Sequence, residues 1–316
     1  MDLTRRWVGP LCAVLGVLGF SFKAILVKLA YAWHPVDAVT LLALRMLYSA
    51  PFFITMAWWA GRASGAAALT LRDWRTLAWL GFIGYYLASL LDFMGLEYIS
   101  AALERLVLYL YPTLVVLLTA LVLRKPISRR AALALGISYA GIALVFVHDL
   151  EFTGDTRALL TGGALVFGGA FAYALYVVGA GNVIARIGSM RFIAWAMLVS
   201  TAFVLVQFSA TRDFALLAVP PSIHALSLAM AIVSTVLPTW LVAEAIRRLG
   251  ANTSSLIGSL GPVFTIGLGA MILGEPVHWI QLAGAALVLV GVMLVTLRPR
   301  SAGSDNRSGA RTTPVA

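Results

Sequence analysis

Apolar residues form ten long stretches of the chain, and short polar segments separate them. Each stretch is about 20 residues long, the length that an α-helix needs to cross a bilayer. The stretches lie near residues 10–31, 36–60, 76–96, 101–123, 130–148, 160–180, 190–209, 223–246, 252–273 and 279–297. We therefore predict an all-α membrane protein with ten transmembrane helices, of which the fifth and seventh are the shortest.

The composition excludes several classes of protein. Of the 316 residues, 61% are hydrophobic and 11% are charged, about half the charged share of a typical soluble domain. A soluble enzyme, a disordered protein and a secreted disulfide scaffold are excluded, because so few polar residues cannot cover a soluble fold. Cys12 is the only cysteine, so no intrachain disulfide can form. Residues 299–316 are polar and are expected to be a disordered cytoplasmic tail.

Positive charges alternate with the predicted spans. Of the 23 Lys and Arg residues, 17 lie at one set of helix ends, 2 at the opposite set and 4 within the spans. Cytoplasmic loops carry the excess of Lys and Arg in membrane proteins. We therefore expect a multi-pass protein of the cell inner (plasma) membrane with both termini in the cytoplasm. This topology, with attraction to anionic lipid, explains the net charge of +10 without nucleic acid as a partner.

The chain contains an internal repeat at an offset of 150 residues. At this offset, residues 95–146 align with residues 245–296 without a gap. The matched pairs include Pro112 and Pro262, Pro126 and Pro276, and Gly141 and Gly291. We infer two five-helix repeats, at residues 1–150 and 151–298. Because five is odd, the second repeat has to enter the membrane inverted, an arrangement typical of secondary transporters.

Two segments resemble the end-of-repeat pattern of a known family. ISAALERLVLYLYPTLVVLLTALVLRKPISRRAALALGISYAGIALV and GANTSSLIGSLGPVFTIGLGAMILGEPVHWIQLAGAALVLVGVML both carry small residues, a mid-helix proline, a turn and a glycine-bearing last helix. Over residues 10–297 the chain resembles the drug/metabolite transporter superfamily, in particular its EamA-type ten-helix members. Gly274–Glu275–Pro276 fits the Gly-Glu turn of the family, whereas Arg124–Lys125–Pro126 lacks the acid. The resemblance implies a transporter, expected to be an exporter, of small metabolites, and leaves the substrate open.

Charged residues within the spans are candidates for the transport pathway, because a charge near the bilayer centre costs several kcal/mol. Lys23, Arg45 and Asp92 are predicted to bind substrate in a central cavity, and the resemblance also places Arg45 where the family often has an arginine. Asp92 has a second interpretation, in which it only neutralises Lys23 or Arg45. Glu104 and Arg105 are either charges at the rim of the pathway or a structural pair. Lys28 is expected to extend to the interface.

The second repeat offers aromatic residues where the first has charges. Tyr173 lies at the position equivalent to Lys23, and Trp195 at that of Arg45. We predict that both bind the apolar part of a solute whose other end is an anion. Amino acids and organic acids fit this description. Whether Glu244, near the end of helix 8, is functional or structural stays open.

Pro112 and Pro262 are predicted to act as paired gating elements. Proline removes a backbone hydrogen bond and can kink a helix, so a static kink is the alternative. No metal site, cofactor or catalytic group is expected, since the four histidines lack ligand spacing and no P-loop or G-x-S-x-G motif occurs. We predict a secondary transporter that works by alternating access, as a monomer or homodimer. A membrane-embedded enzyme or flippase acting on lipid-linked substrates, and a channel, are the alternatives.

Overall fold

The computed structural model describes residues 3–62, 68–122, 124, 126–153 and 155–296. The expected tail at 299–316 lies outside these residues. All regular structure in the described ranges is helical. Ten membrane helices follow one another: α1 Leu3–Trp33, α2 Ala38–Gly61, α3 Leu71–Gly95, α4 Ala101–Val122, α5 Arg129–Thr153, α6 Thr156–Ile187, α7 Ser189–Thr211, α8 Pro221–Leu249, α9 Ala251–Leu273 and α10 Trp279–Thr296.

The predicted all-α membrane fold is confirmed. Nine of the described helices are long and apolar enough to cross a membrane, and α10 is a shorter apolar helix. The expected order of lengths is wrong for α5 and α7, which have 25 and 23 residues, whereas the described part of α10 has 18. The prediction counted only their apolar residues, whereas the two helices continue into polar residues at both ends.

Side-chain caps begin several helices at the places where the apolar stretches start. Asp37 Oδ1 accepts from the backbone N–H groups of Val39 and Thr40 at the start of α2. The hydroxyl of Ser100 accepts from Leu103 N at the start of α4. Such caps replace hydrogen bonds that the first turn of a helix cannot make internally.

Three types of irregularity recur in both repeats. π-Helical segments interrupt α3 at Phe82–Leu87 and α8 at Ile232–Val236, which are 150 residues apart at their first residue. The helices α4 and α9 are each broken just before a proline, between Leu108 and Tyr111 and between Gly258 and Gly261. A positive φ occurs at Arg124 and Gly274, in equivalent turns. The repeat is therefore structural as well as sequential.

The most extensive packing joins the two repeats to each other. The pairs are α1 with α8, α3 with α6, α2 with α7, and α5 with α10. A two-fold operation that exchanges the repeats converts the first pair into the second and maps the other two onto themselves. Five helices per repeat place equivalent helices in opposite directions, as inverted repeats require.

The crossing of α5 and α10 depends on two equivalent glycines. A Cβ atom at Gly141 would lie 2.7 Å from the carbonyl oxygen of Gly284. A Cβ atom at Gly291 would lie 2.7 Å from the carbonyl oxygen of Ala134. Small residues allow membrane helices to approach this closely, so the same backbone contact is made twice at this crossing.

Large apolar side chains remain exposed on the outside of the helix bundle, including Trp59 and Met271 at 80% and 84% exposure. In water such a surface would be unfavourable, whereas lipid covers it without cost. The chain is a multi-pass membrane protein.

Candidate functional site

Both ends of the described chain lie on one side of the membrane fold, because the number of helices is even. We call this side the termini face and the other side the opposite face. Five charged residues within the spans of the first repeat lie in the half nearer the opposite face: Lys23 on α1, Arg45 on α2, Asp92 on α3, and Glu104 and Arg105 on α4.

Lys23, Asp92 and Glu104 form one buried ion cluster, the charged triad. Lys23 Nζ lies 2.6 Å from Asp92 Oδ2 and 3.0 Å from Glu104 Oε1. The carboxylate side chains are 3% and 0% exposed. Asp92 thus forms an ion pair with Lys23, which is the contact that its second, neutralising interpretation describes. Glu104 also pairs with Lys23 rather than with its neighbour Arg105. The triad joins α1, α3 and α4.

Arg45 is buried but has no carboxylate partner in the described part of the chain. Its Nη2 donates to the Ser89 hydroxyl at 3.2 Å. Its guanidinium lies over the ring of Phe93, 4.8 Å from the centroid. Its Nε has no hydrogen-bond partner. One donor and one ring face are therefore satisfied, and the positive charge is close enough to Asp92 to interact with it electrostatically.

Arg105 lies against the break in α9. A Cβ atom at Gly261 would be 2.8 Å from Arg105 Nη2, so the guanidinium lies directly against this glycine and a larger residue would require it to shift. The guanidinium carbon is 5.8 Å from the ring centroid of Tyr109. Arg105 Nε is buried without a hydrogen-bond partner. Within the described ranges, no carboxylate forms an ion pair with Arg105.

Four buried or half-buried tyrosines meet between α3, α4 and α6, and we call them the tyrosine cluster: Tyr85, Tyr111, Tyr173 and Tyr176. The rings of Tyr111 and Tyr173 pack edge to face at 5.1 Å, and those of Tyr173 and Tyr176 lie 5.4 Å apart. The hydroxyls of Tyr85 and Tyr176 are 3.0 Å apart. Tyr111 is close enough to Arg105 for an electrostatic interaction. The cluster therefore lies within electrostatic range of Arg105.

Trp195 lies elsewhere. Its ring packs edge to face on Trp74, at the start of α3 near the termini face, with the centroids 4.7 Å apart. The structure therefore brings Lys23 and Asp92 together and places Tyr173 in the tyrosine cluster, but it does not bring Trp195 to the charged triad.

Further bonds join α1 to its neighbours at the opposite face. Lys28 Nζ donates to the carbonyl oxygen of Ile99 at 2.9 Å, and the Tyr31 hydroxyl donates to that of Phe93 at 2.9 Å. Lys28 therefore binds carbonyls of the α3–α4 connection instead of reaching freely to the interface.

Glu275, in the turn between α9 and α10, adds a contact across the repeats. Its Oε1 accepts from Ala101 N, the first residue of α4, at 3.0 Å. Gly274, with φ 67°, begins this turn. A carboxylate at a helix N-terminus is favourable because the first N–H groups lack helical partners. The acid of the family turn thus caps a helix of the other repeat.

The two breaks in α4 and α9 are joined by a hydrogen bond. A helical residue normally donates to the carbonyl four positions earlier, so Pro262 leaves the carbonyl of Gly258 without its donor. The Tyr109 hydroxyl donates to that carbonyl oxygen. Ser21 on α1 donates to the carbonyl of Gly261 at 3.1 Å.

Two ion pairs also join the repeats near the ends of their helices. Arg212 Nε donates to Asp37 Oδ1 at 3.1 Å. Burial favours the neutral form of Asp37, but hydrogen bonds from Thr40 and Arg212 hold its pKa below the ordinary value. Arg186, at the end of α6, pairs with Asp73 at the start of α3.

The other candidate residues have ordinary partners. Glu244 pairs with Arg247 and Arg248 on the same helix, which favours a structural role. His148 and His278, far apart in sequence, have ring centroids 4.6 Å apart. Across the described residues, no group of three or more His, Cys, Asp or Glu side chains could hold a metal ion.

Sequence reasoning missed Tyr109 and the contact of Glu275 with α4. Tyr109 was missed because its partner is a backbone carbonyl, which leaves no trace in residue types. Position 109 lies three residues before Pro112, and its equivalent is Ser259, three residues before Pro262. A polar residue at both breaks was the available signal.

A sequence model of the EamA-like transporter family matches the chain twice, over residues 7–147 and 160–297. "Uncharacterized transporter YcbK" of Bacillus subtilis is 30% identical over 286 residues, covering 87% of this chain and 88% of the relative. "Uncharacterized inner membrane transporter YicL" of Salmonella typhimurium is 23% identical, covering 95% of this chain and 98% of the relative. A crystal structure of another protein, 19% identical, superposes with a TM-score of 0.61 and covers 91% of this chain and 96% of that one.

Proposed function

Since this chain belongs to the EamA-like transporter family, we propose that it is a secondary transporter, working by alternating access, for small anionic or amino-acid-like metabolites. The proposal includes a site that uses Lys23, Arg45 and Asp92 for the charged end of the solute and Tyr173 for its apolar part. Trp195 belongs to this proposal only for a solute that has moved toward the termini face. Pro112 and Pro262 are proposed as its gating kinks.

The observation that carries alternating access is the difference between equivalent positions at the two faces. At the opposite face, the triad links α1 to α3 and α4. The equivalents of Lys23, Asp92 and Glu104 near the termini face are Tyr173, Val242 and Ser254. These three residues cannot form an ion cluster.

The packing of equivalent helices also differs between the opposite face and the termini face. The first part of α4, Ala101–Leu108, packs on α1, whereas the first part of α9, Ala251–Gly258, has no comparable packing on α6 among the described residues. A symmetric pair of repeats in an asymmetric arrangement describes one of two alternative states. We interpret the structure as the state that is closed at the opposite face, and an exchange of the two arrangements would open that face.

Charge supports an anionic solute. With all three groups ionised, the charged triad has a net charge of −1, whereas Arg45 and Arg105, which lack ion-pair partners among the described residues, add +2. Buried positive charge in a low dielectric needs compensation. Arginine stays protonated in proteins, so one positive charge remains after the triad is counted, and we propose that an anionic group of the solute compensates it.

The proposal also includes the orientation of the protein in the membrane and the direction of transport. The placement of Lys and Arg favours cytoplasmic termini in the inner membrane. The opposite face is then external, and the described state is open toward the cytoplasm, from which an exporter takes its substrate. Export itself rests on the family resemblance.

The test is solute counterflow in proteoliposomes that contain the purified protein. A panel of amino acids, organic acids and amines is screened for saturable exchange across the membrane. We expect exchange for one or more acids, with saturation at a turnover far below that of a channel. Exchange restricted to amines would contradict the anionic solute. Chemical conversion of a solute during the assay would favour the enzyme alternative instead.

The closing of the opposite face has a separate test. Cys12 is buried and is the only cysteine, so a Cys12→Ala background gives a cysteine-free protein. In it, Ala101→Cys, which lies beside the closed face, is expected to react slowly with a membrane-impermeant maleimide. Adding Lys23→Met breaks the triad and should raise the labelling rate at least about tenfold, because about 1.4 kcal/mol of lost closing energy is enough. Equal labelling with and without Lys23 would contradict a role of the charged triad in closing the opposite face.

A further inference from the structure

We propose that Arg105 binds the carboxylate of the solute and that the tyrosine cluster binds an aromatic body, which makes aromatic carboxylates the preferred substrate class. This inference rests on the proposed transport function and deepens it. It also adds Arg105, on α4 at the break of α9, to the anion site proposed at Lys23, Arg45 and Asp92.

The guanidinium of Arg105 lacks a hydrogen-bond acceptor for its buried Nε. In the described ranges, Arg105 also forms no ion pair with a carboxylate. Its sequence neighbour Glu104, the nearest source of a counter-charge along the chain, is 0% exposed and bound to Lys23. A planar guanidinium with free donors matches a carboxylate that accepts two hydrogen bonds.

The surroundings of Arg105 are built to hold it in place. Gly261 leaves space for Nη2, since a Cβ atom there would approach it to 2.8 Å. The ring of Tyr109 lies along the guanidinium, and the Tyr109 hydroxyl is bound to the carbonyl of Gly258. An orientation fixed before binding reduces the entropy that binding costs.

The guanidinium of Arg45, in comparison with that of Arg105, already makes a hydrogen bond and a ring contact. One of its terminal nitrogens donates to Ser89, and its face is covered by Phe93. Phe93 belongs to the large apolar core around α2, in which Arg45 is 4% exposed. Arg45 therefore has fewer free donors for a carboxylate than Arg105, and we expect Arg105 to make the two-pronged contact.

The aromatic preference follows from the tyrosine cluster. Tyr111, which is within electrostatic range of Arg105, packs on Tyr173, and Tyr173 packs on Tyr176, with ring centroids 5.1 and 5.4 Å apart. These spacings are those of favourable aromatic pairs, which gain energy beyond burial of area. A solute ring inserted beside Tyr173 gains the same contacts, whereas a saturated ring gains only the burial.

Four probes separate these features: 3-phenylpropionate, its uncharged amide, 3-cyclohexylpropionate and the cation phenethylamine. Binding to the purified full-length protein in nanodiscs is measured by titration calorimetry. We expect 3-phenylpropionate to bind most tightly. Loss of the anion or of the guanidinium should weaken binding roughly 10- to 100-fold, the range for charge-assisted hydrogen bonds.

The variants give the matched comparison. Arg105→Gln should weaken binding of 3-phenylpropionate by that factor, and Arg105→Lys should restore part of it. Arg62→Gln, at the termini-face end of α2 and outside the proposed site, should change it less than about threefold. Tyr173→Leu should remove the preference for phenyl over cyclohexyl, and Tyr173→Phe should keep it. Circular dichroism and gel filtration confirm that each variant is folded.

Three results would overturn the inference: unchanged binding in Arg105→Gln, equal binding of the acid and its amide, or no binding of 3-phenylpropionate to the wild type. Counterflow distinguishes this from failure of the proposed function. Saturable exchange of another solute class would leave the transporter standing and remove only the aromatic carboxylate site.

Discussion

Tyr109 on α4 supplies the hydrogen-bond donor that Pro262 withholds from Gly258 on α9. The residue that caps the free carbonyl belongs to one repeat, and the proline that frees it belongs to the other. The two broken helices are thus coupled at their breaks, which are the kinks that we propose as gating elements.

This coupling predicts a non-additive pair of substitutions. Tyr109→Phe leaves the Gly258 carbonyl unpaired and should lower the free energy of unfolding by about 1–3 kcal/mol. In a Pro262→Ala background, the backbone N–H restored at position 262 can bond that carbonyl, so Tyr109→Phe should then have little effect. Equilibrium unfolding in mixed micelles gives the double-mutant cycle. Equal effects of Tyr109→Phe in both backgrounds would contradict the coupling.

The charged triad predicts a large effect that further substitutions reverse. Lys23→Met leaves two buried carboxylates without their cation and should destabilise the protein by about 3–5 kcal/mol. Adding Asp92→Asn and Glu104→Gln should recover most of that loss, because no buried charge is then left uncompensated. The same unfolding assay measures both. No recovery in the triple variant would mean that the triad stabilises through packing rather than charge.

The crossing of α5 and α10 predicts similar costs in the two repeats. Gly141→Ala and Gly291→Ala each place a Cβ atom 2.7 Å from a backbone carbonyl oxygen. We expect each to lower the free energy of unfolding by about 1–3 kcal/mol, because backbone has to shift. Gly136→Ala on α5 is the control, since a Cβ atom there meets nothing within 4 Å. A comparable loss in the control would point to helix propensity or insertion instead.

Asp37 predicts a pH dependence of stability. Its pKa is held below the ordinary value in the folded protein, so its contribution is present above the unfolded pKa of about 3.9 and is lost as the pH falls through the folded pKa. We expect Asp37→Asn to lower the free energy of unfolding by about 0.5–1 kcal/mol at pH 7, a modest figure because the pair is partly exposed. The difference from wild type should shrink below about pH 4.

Glu97 is the matched control for this experiment. Burial raises the pKa of Glu97, so its ionised form is disfavoured in the folded protein. Glu97→Gln should therefore have the opposite sign, a gain in stability relative to wild type that grows as the pH rises above the unfolded pKa. Thermal unfolding from pH 3 to 8 reads out both variants, and pH-independent differences would contradict both assignments.

The charge distribution predicts the orientation. Reporter fusions at Arg62 and Arg248 should read cytoplasmic, and a fusion near Asp213 should read external. The physical reason is the excess of Lys and Arg at the ends that face the cytoplasm. A cytoplasmic signal near Asp213 would be incompatible with the alternation of the ten helices.

The sequence predicted the helices well and the site only in outline. Apolar length and the 150-residue offset follow from residue types, so the ten spans and the repeat could be predicted. Lys23 and Asp92 were recognisable because charge in a membrane is expensive. The sequence could not show that Glu104 turns to Lys23 and leaves Arg105 unpaired, since adjacent residues on a helix point in different directions. Nor could it show that Trp195 packs on Trp74, because equivalence in a repeat fixes depth rather than partner.

The exchange of partners between the repeats has a consequence for biogenesis. The first five helices enter the membrane before α6 to α10 are synthesised, yet α1, α2, α3 and α5 find their most extensive contacts on helices of the second repeat. The newly made first repeat therefore waits in the membrane with those faces open, whereas its charged triad joins three of its own helices and can form before the second repeat is made. Assembly is completed only when α10 docks on α5, so truncation of the last helix removes the step that closes the fold.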